Sequence, residues 1–373
     1  MSSARLWRYF DWWLLVLMVA LIALGVAMIF STARTDPEIA NAWLDQIAVA
    51  LIGLLALILV SLVDYTLLRY FATPAYLVTL ALLGLVLVFG VDRLGARRWF
   101  NLGGFDFQPG ELAKLTLGVM LAKVVADREG RASYVTTLWL SLALTLPAVA
   151  LVLRQPNLST AVALLFIWLN VAFVGGLDAN RALLFGVVGL LAVGAGLFAT
   201  LVLNVPLLQE YQLRRIEILL GLQENPGDRY QIEQSLIALA SGGLWGEGYG
   251  QGIQTQLRFL PARHTDFIFS SIGEELGFVG GVIVLALMAL LILRVLYVAW
   301  VARDTFGRLL CVSIASVIFL QSVVNIGMQL QLVPVTGIVL PFVSYGRSSL
   351  LSVMLAMGVV QSVSLHRERL SFG

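Results

Sequence analysis

One stretch of the chain collects the groups able to do acid–base work. Between Pro261 and Gly277 stand His264, Thr265, Asp266, Glu274 and Glu275, at the junction of a polar segment and a long apolar run. Carboxylates at the edge of a hydrocarbon slab are costly, so a function is the first thing to look for there. Asp266 is the candidate general base, a group that takes the proton of an attacking hydroxyl. The competing reading makes it a helix N-cap, with Thr265 a rival for that position. On a continuous helix Glu274 shares the face of Asp266 but lies about 12 Å further along the axis. That is too far for a shared proton, so Glu274 is expected to support packing or to pair with a cation. His264 is expected to be structural or a ligand contact, and with only two His in the chain no His-rich metal site can form.

A second constellation begins at Gly95. Arg97, Arg98 and Trp99 precede Pro109, Glu111 and Lys114. Pro109 fits the first turn of a helix, and the i,i+3 spacing lets Glu111 and Lys114 share a face and pair. Such a pair either fixes helix packing or forms the polar wall of a cavity, with Lys114 a point charge for phosphate. Trp99 is either an interfacial belt residue or a platform for stacking a sugar. Arg154, Arg214 and Arg258 add positive charge on segments that the topology below places on the same side. Gln155 to Ser159 is explained as a capping turn, with Asn157 and Ser159 satisfying neighbouring backbone.

These residues need a scaffold, and composition names it. Of 373 residues 60% are hydrophobic and 12% charged, which excludes an ordinary soluble domain and indicates a polytopic membrane protein. Apolar stretches near residues 12–30, 48–63, 75–89, 111–126, 136–153, 158–174, 182–203, 276–297, 306–324 and 350–364 predict about ten transmembrane helices in an all-α fold. The first is too long for a signal sequence and is expected to be retained. An even number of spans puts both termini on one side. The Arg-rich loops on that side mark it as the cytoplasm. A large extracytoplasmic loop, about 204–265, then separates the seventh and eighth spans. Within it, 211–222 and 230–240 predict surface helices. The glycine-dense stretch 241–252 predicts a flexible loop. The single cysteine, Cys311, excludes an intramolecular disulfide and a Cys-based metal site. Proline and glycine between Pro334 and Gly346, with Ser344 among them, predict a broken or re-entrant segment, either buried in protein or lining a wet cavity.

Taken in order, Gly95-Ala96-Arg97-Arg98-Trp99, Gln108-Pro109-x-Glu111-x-Ala113-Lys114, Gln155-Pro156-x-Leu158, Phe259-Leu260-Pro261, His264 to Phe269, Gly273 to Gly277 and Leu340 to Gly346 resemble the SEDS family of bacterial cell-wall polymerases, the family of RodA and FtsW. The resemblance covers nearly the whole chain as one membrane domain, 1–373. Asn325 to Met328 and Pro334 to Gly337 are closer to the elongation member than to the division member. It implies a peptidoglycan glycosyltransferase of the cytoplasmic membrane that polymerises lipid II into β-1,4-linked glycan on the outer face. It also implies help from a divalent cation, Mg2+ or Mn2+, and no organic cofactor. The implied partners are a class B penicillin-binding protein transpeptidase and other elongation-complex proteins, with no role for nucleic acid. The family's essential acid falls on Asp266, and its Glu and Lys on Glu111 and Lys114. The implied substrate contacts are Arg97, Arg98, Trp99, Glu111, Lys114, Arg154, Arg214, Arg258, His264, Thr265, Glu274 and Ser344. The chain departs from the family pattern at Gly110, Asn157, Ser159, Ala262 and Arg347. Two other classes remain open: a lipid II flippase using the same cavity without chemistry, and a secondary transporter, for which no inverted repeat of broken helices is evident.

Overall fold

The computed structural model describes residues 9–93, 96–103, 105–130, 133–176, 217 and 226–367. The predicted seventh span, 182–203, and Arg214 lie outside the described residues. Six long helices come first: α1 (Trp12–Ala33), α2 (Ala42–Leu62), α3 (Leu67–Phe89), α4 (Pro109–Arg128), α5 (Tyr134–Arg154) and α6 (Leu158–Val174). After α7 (Pro226–Ser241) and the short α8 (Ile253–Gln256) come α9 (Ile268–Trp300), α10 (Thr305–Gln329) and α11 (Arg347–Leu365). Seven of the described helices are long and apolar enough to cross a membrane.

Helix α4 is not one of the seven, because Glu111, Lys114, Lys123, Asp127 and Arg128 lower its hydropathy. Its 20 residues still make a rod of about 30 Å. It packs against α3, α5, α6, α10 and α11, so its polar groups meet protein rather than lipid. An intramembrane charge is tolerable only in such an interior position.

The link between α3 and α4 is not the plain loop expected of an all-α chain. Strands β1 (Val91–Arg93), β2 (Ala96–Leu102) and β3 (Phe105–Phe107) form an antiparallel sheet in the order β1-β2-β3. Its register sets Asp92 opposite Arg97 and Asp106 opposite Asn101.

Helix α9 begins well before the predicted span at 276. Ser270, Ser271, Glu274 and Glu275 are all buried, so this polar first part is covered by protein and gives no apolar signal. Gly277, at φ 70° and ψ −168°, breaks the helix, a backbone conformation open to glycine. The break frees backbone groups that must be satisfied elsewhere. The glycine-dense stretch does this: Glu247 and Gly248 donate N–H to the carbonyls of Glu274 and Glu275, while Phe278 and Val279 donate to those of Gly243 and Leu244. The expectation of a flexible loop is therefore corrected. Its glycines permit close backbone contact, and a Cβ at Gly246 would sit 2.2 Å from the Glu275 carbonyl oxygen.

Candidate functional site

At one end of the bundle the starts of α4, α6 and α11, the residues just before α9, strands β2 and β3, and the segment 336–349 surround a cavity of about 730 Å3. Residues 331–346 contain neither helix nor strand, as the prolines and glycines predict. Of the two settings open to such backbone, it lines the cavity from Thr336 to Val339 and again from Tyr345, while Leu340 and Phe342 to Ser344 are buried. Four helix N-termini converge there, each a positive dipole end that favours an anion. The walls are stitched together: the Gln108 amide donates to Ser348 Oγ at 3.2 Å, and Ser159 Oγ donates to the Thr336 carbonyl at 3.0 Å.

Among the described residues, the charged lining consists of Arg98, Lys114 and Arg347 with Asp106, Glu111 and Asp266. Trp99 and Thr265 line the same space, and Arg98 lies 5.2 Å from the Trp99 ring centroid. Lys114 Nζ donates to Glu111 Oε1 at 2.8 Å, with both side chains buried, so the expected pair forms. The other oxygen, Glu111 Oε2, is buried without a hydrogen-bond partner. Beside it a space of about 20 Å3, lined also by Ser313 and Ser352, has room for one water.

Asp266 stands two residues before α9, whose N-cap is Phe267. Neither Asp266 nor Thr265 is the N-cap residue, and Thr265 Oγ1 donates to the Ala262 carbonyl at 3.2 Å. The Asp266 backbone is fixed by a residue that stood out in the sequence only as part of a motif. Asn325 Nδ2 donates to the carbonyls of Asp266 at 3.0 Å and Ile338 at 2.7 Å, tying the acid to the irregular segment. Gln329 Nε2 holds Asn325 Oδ1 at 2.8 Å, and Gln329 Oε1 accepts from the Ser270 amide at 2.6 Å and from Ser270 Oγ at 2.8 Å. The available signal was an Asn and a Gln four apart, on one face of an apolar helix.

Several expected contacts do not reach the cavity. Arg97 is exposed and 3.8 Å from Asp92, its partner across the β1–β2 register. Arg154 is exposed in the last turn of α5, where a cation complements the helix dipole. Arg258 bonds the Thr35 carbonyl and lies 3.7 Å from Asp36, which Arg263 also holds at 2.9 Å. Burial alone would raise the Asp36 pKa, but the hydrogen bond from Arg263 and the nearby guanidinium charges hold it below the usual value. Ser344 Oγ accepts from the Leu340 amide at 2.8 Å inside a tight turn, so it shapes the segment without facing the site. His264 gives its carbonyl to the Tyr345 amide. Its ring is held neutral, with the pKa pushed down to about 4 by burial and by the charge of Arg263.

Glu274 supports packing, as its position on the helix led one to expect, and is not the substrate contact that the resemblance implied. Its carboxylate accepts from the amides of Gln254 and Thr255 and from Thr255 Oγ1, at 2.6, 3.0 and 2.6 Å. It caps α8 from inside the protein and touches no part of the cavity. Glu275 similarly binds Ser31 Oγ, the Gly250 amide and Gln256 Nε2. The two acids staple the glycine-dense stretch to α1 and α9. Glu274→Ala orphans three donors and is expected to cost about 3 kcal/mol. Thermal denaturation of the detergent-solubilised protein reads this as a lowered midpoint; an unchanged midpoint would remove the staple role.

Residues 9–369 match the FtsW/RodA/SpoVE family, described as cell cycle protein. The chain belongs to this family. Among its relatives, the peptidoglycan glycosyltransferase MrdB of Escherichia coli K12 is 36% identical over 359 residues, covering 96% of this chain and 94% of that one. The crystal structure of the rod shape determining protein RodA of Thermus thermophilus superimposes with a TM-score of 0.72 at 35% identity, covering 96% and 98% of the two chains. A chain from a structure titled for the coordination of polymerization and crosslinking by a peptidoglycan synthase complex aligns with a TM-score of 0.80 at 37% identity, covering 96% and 98%. Every described cavity residue named above falls within the matched range. The FtsW/RodA/SpoVE chain described here is thus a mostly helical, multi-pass membrane protein.

Proposed function

We propose that this protein is a peptidoglycan glycosyltransferase that polymerises lipid II during cell elongation, with Asp266 as general base. The observation that carries the reading is one cavity that combines a carboxylate held by its backbone, three cations and four helix N-termini. The hydroxyl of one lipid-linked saccharide attacks the anomeric carbon of another. Asp266 takes the hydroxyl proton as the new C–O bond forms. The bond from the anomeric carbon to the diphosphate breaks, and the leaving oxygens carry away the electron pair. Arg98, Arg347 and the helix N-termini stabilise the charge that develops there. Lys114 contributes less than a free lysine would, because Glu111 already balances it. One base and one displacement invert the anomeric centre, in contrast to the two-step route that retains configuration.

The resemblance also implies a divalent cation, and the donors suit one. Among the described residues no group of three His, Cys, Asp or Glu converges. The unpartnered Glu111 Oε2 would supply one hard oxygen, with the remaining positions left to diphosphate and water, a shell of the kind Mg2+ prefers. Such an ion would neutralise charge on the leaving diphosphate. The proposed setting is the outer face of the cytoplasmic membrane, with both termini in the cytoplasm. The proposed partner is a class B penicillin-binding protein that crosslinks the strand.

Purified protein given labelled lipid II and Mg2+ should yield polymer. Translocation of lipid II across proteoliposomes without any polymer would instead make this a flippase. Depletion from a rod-shaped host is expected to give round cells, and filaments would transfer the role to division.

A further inference from the structure

The polar cavity is flanked at one side by an apolar space of about 270 Å3, between α6, α10 and the segment 333–338. Leu158 and Val162 stand one turn apart on α6, and Leu320 and Val324 one turn apart on α10. Each pair shares a helix face, so two apolar rows form the walls of the pocket. Leu158 and Val162 are 42% and 45% exposed, which leaves the pocket open along the apolar flank of the bundle. Arg98, Asn157, Ser159, Thr336 and Ile338 line both spaces. Polar cavity and apolar pocket therefore adjoin across these five residues, two of which, Ser159 and Thr336, are hydrogen-bonded to each other. Arg98 is the one charged side chain at the junction among the described residues.

A lipid-linked saccharide has its parts in the same order: sugars, a charged diphosphate, then an isoprenyl chain. We propose that the pocket between α6 and α10 takes the first isoprenyl units of the lipid whose diphosphate leaves, with Arg98 holding that diphosphate at the boundary. The inference rests on reading the polar cavity as the site of glycosyl transfer. Its physical basis is that an isoprenyl chain gains by leaving water and polar surroundings, while a diphosphate needs a cation with planar donors. The junction supplies both within one ligand's length. A larger groove between α1 and α2, about 650 Å3 and floored by Met354, shares no residue with the polar cavity. A chain seated there could not have its diphosphate at Arg98 by the same short path.

The test uses the full-length protein in detergent and lipid II carrying a diazirine on its second isoprenyl unit. After illumination and digestion, cross-links are expected on the peptides holding Leu158 and Val162 or Leu320 and Val324. Cross-links confined to the groove between α1 and α2, or no excess over an isoprenyl alcohol with the same diazirine, would overturn the proposal. Val162→Trp fills the pocket without touching Asp266. It is expected to raise KM for lipid II about tenfold while kcat stays within about twofold, and a wild-type KM would also overturn the proposal. Polymer formation by the wild-type preparation separates the two levels of the argument. Polymer with cross-links elsewhere removes only the pocket, whereas no polymer from the wild type removes the glycosyl-transfer reading beneath it.

Discussion

Lys114→Met is expected to destabilise the protein by about 3–5 kcal/mol, because it leaves a buried carboxylate without its cation. Glu111 Oε1 would lose its 2.8 Å partner, and Oε2 has none to begin with. The loss falls on α4, which packs against five other helices. The double variant Glu111→Gln with Lys114→Met buries no charge and is expected to recover most of the stability. It also separates the two readings of the pair. If the pair served only packing, the double variant would polymerise lipid II at the wild-type rate. A cavity wall that contributes charge predicts recovered stability with polymerisation still reduced about a hundredfold, the scale of removing one electrostatic stabiliser from a transition state. Thermal denaturation and initial rates on the same preparations give both readouts.

Asp266→Asn is expected to lower kcat by about 10²–10⁴-fold, the usual contribution of a general base. The substitution keeps the shape of the side chain and removes its ability to take a proton. The backbone should not move, because Asn325 holds the residue through its carbonyl oxygen, which the substitution leaves in place. Lipid II affinity should change little, since the diphosphate contacts belong to other residues. The two other carboxylates of the cavity are poor substitutes. Glu111 is committed to Lys114, and Asp106 sits on β3, where Asn101 donates to it at 3.2 Å.

The spanning helices were largely legible because a bilayer demands long apolar runs: six of the nine long described helices begin within three residues of a predicted stretch, while α2, α3 and α9 begin six to eight residues early. For α9 the reason is physical: polar residues buried against protein carry no hydropathy signal. A supporting role for Glu274 could be read from the sequence, but the partners of Glu274 and Glu275 could not. Two acids at a membrane edge look like chemistry, and only the break at Gly277 explains why they are needed as staples for a loop. The Glu111–Lys114 pair was readable from its spacing, since helical periodicity fixes which side chains meet. Arg97 was misassigned because strand register is invisible in a short loop, and register is what pairs it with Asp92. Asn325 stood out only as part of a motif, and its role escaped notice because that role lies in two carbonyl groups, at positions 266 and 338, that come together only in the folded chain.

The most direct test compares wild type and Asp266→Asn in proteoliposomes holding labelled lipid II and Mg2+, at matched thermal stability and matched lipid II binding. The account predicts a ladder of glycan strands from the wild type and none detectable from the variant over the same interval. Ladders of equal length and yield from both proteins would contradict it, and would move the base to another residue of the cavity.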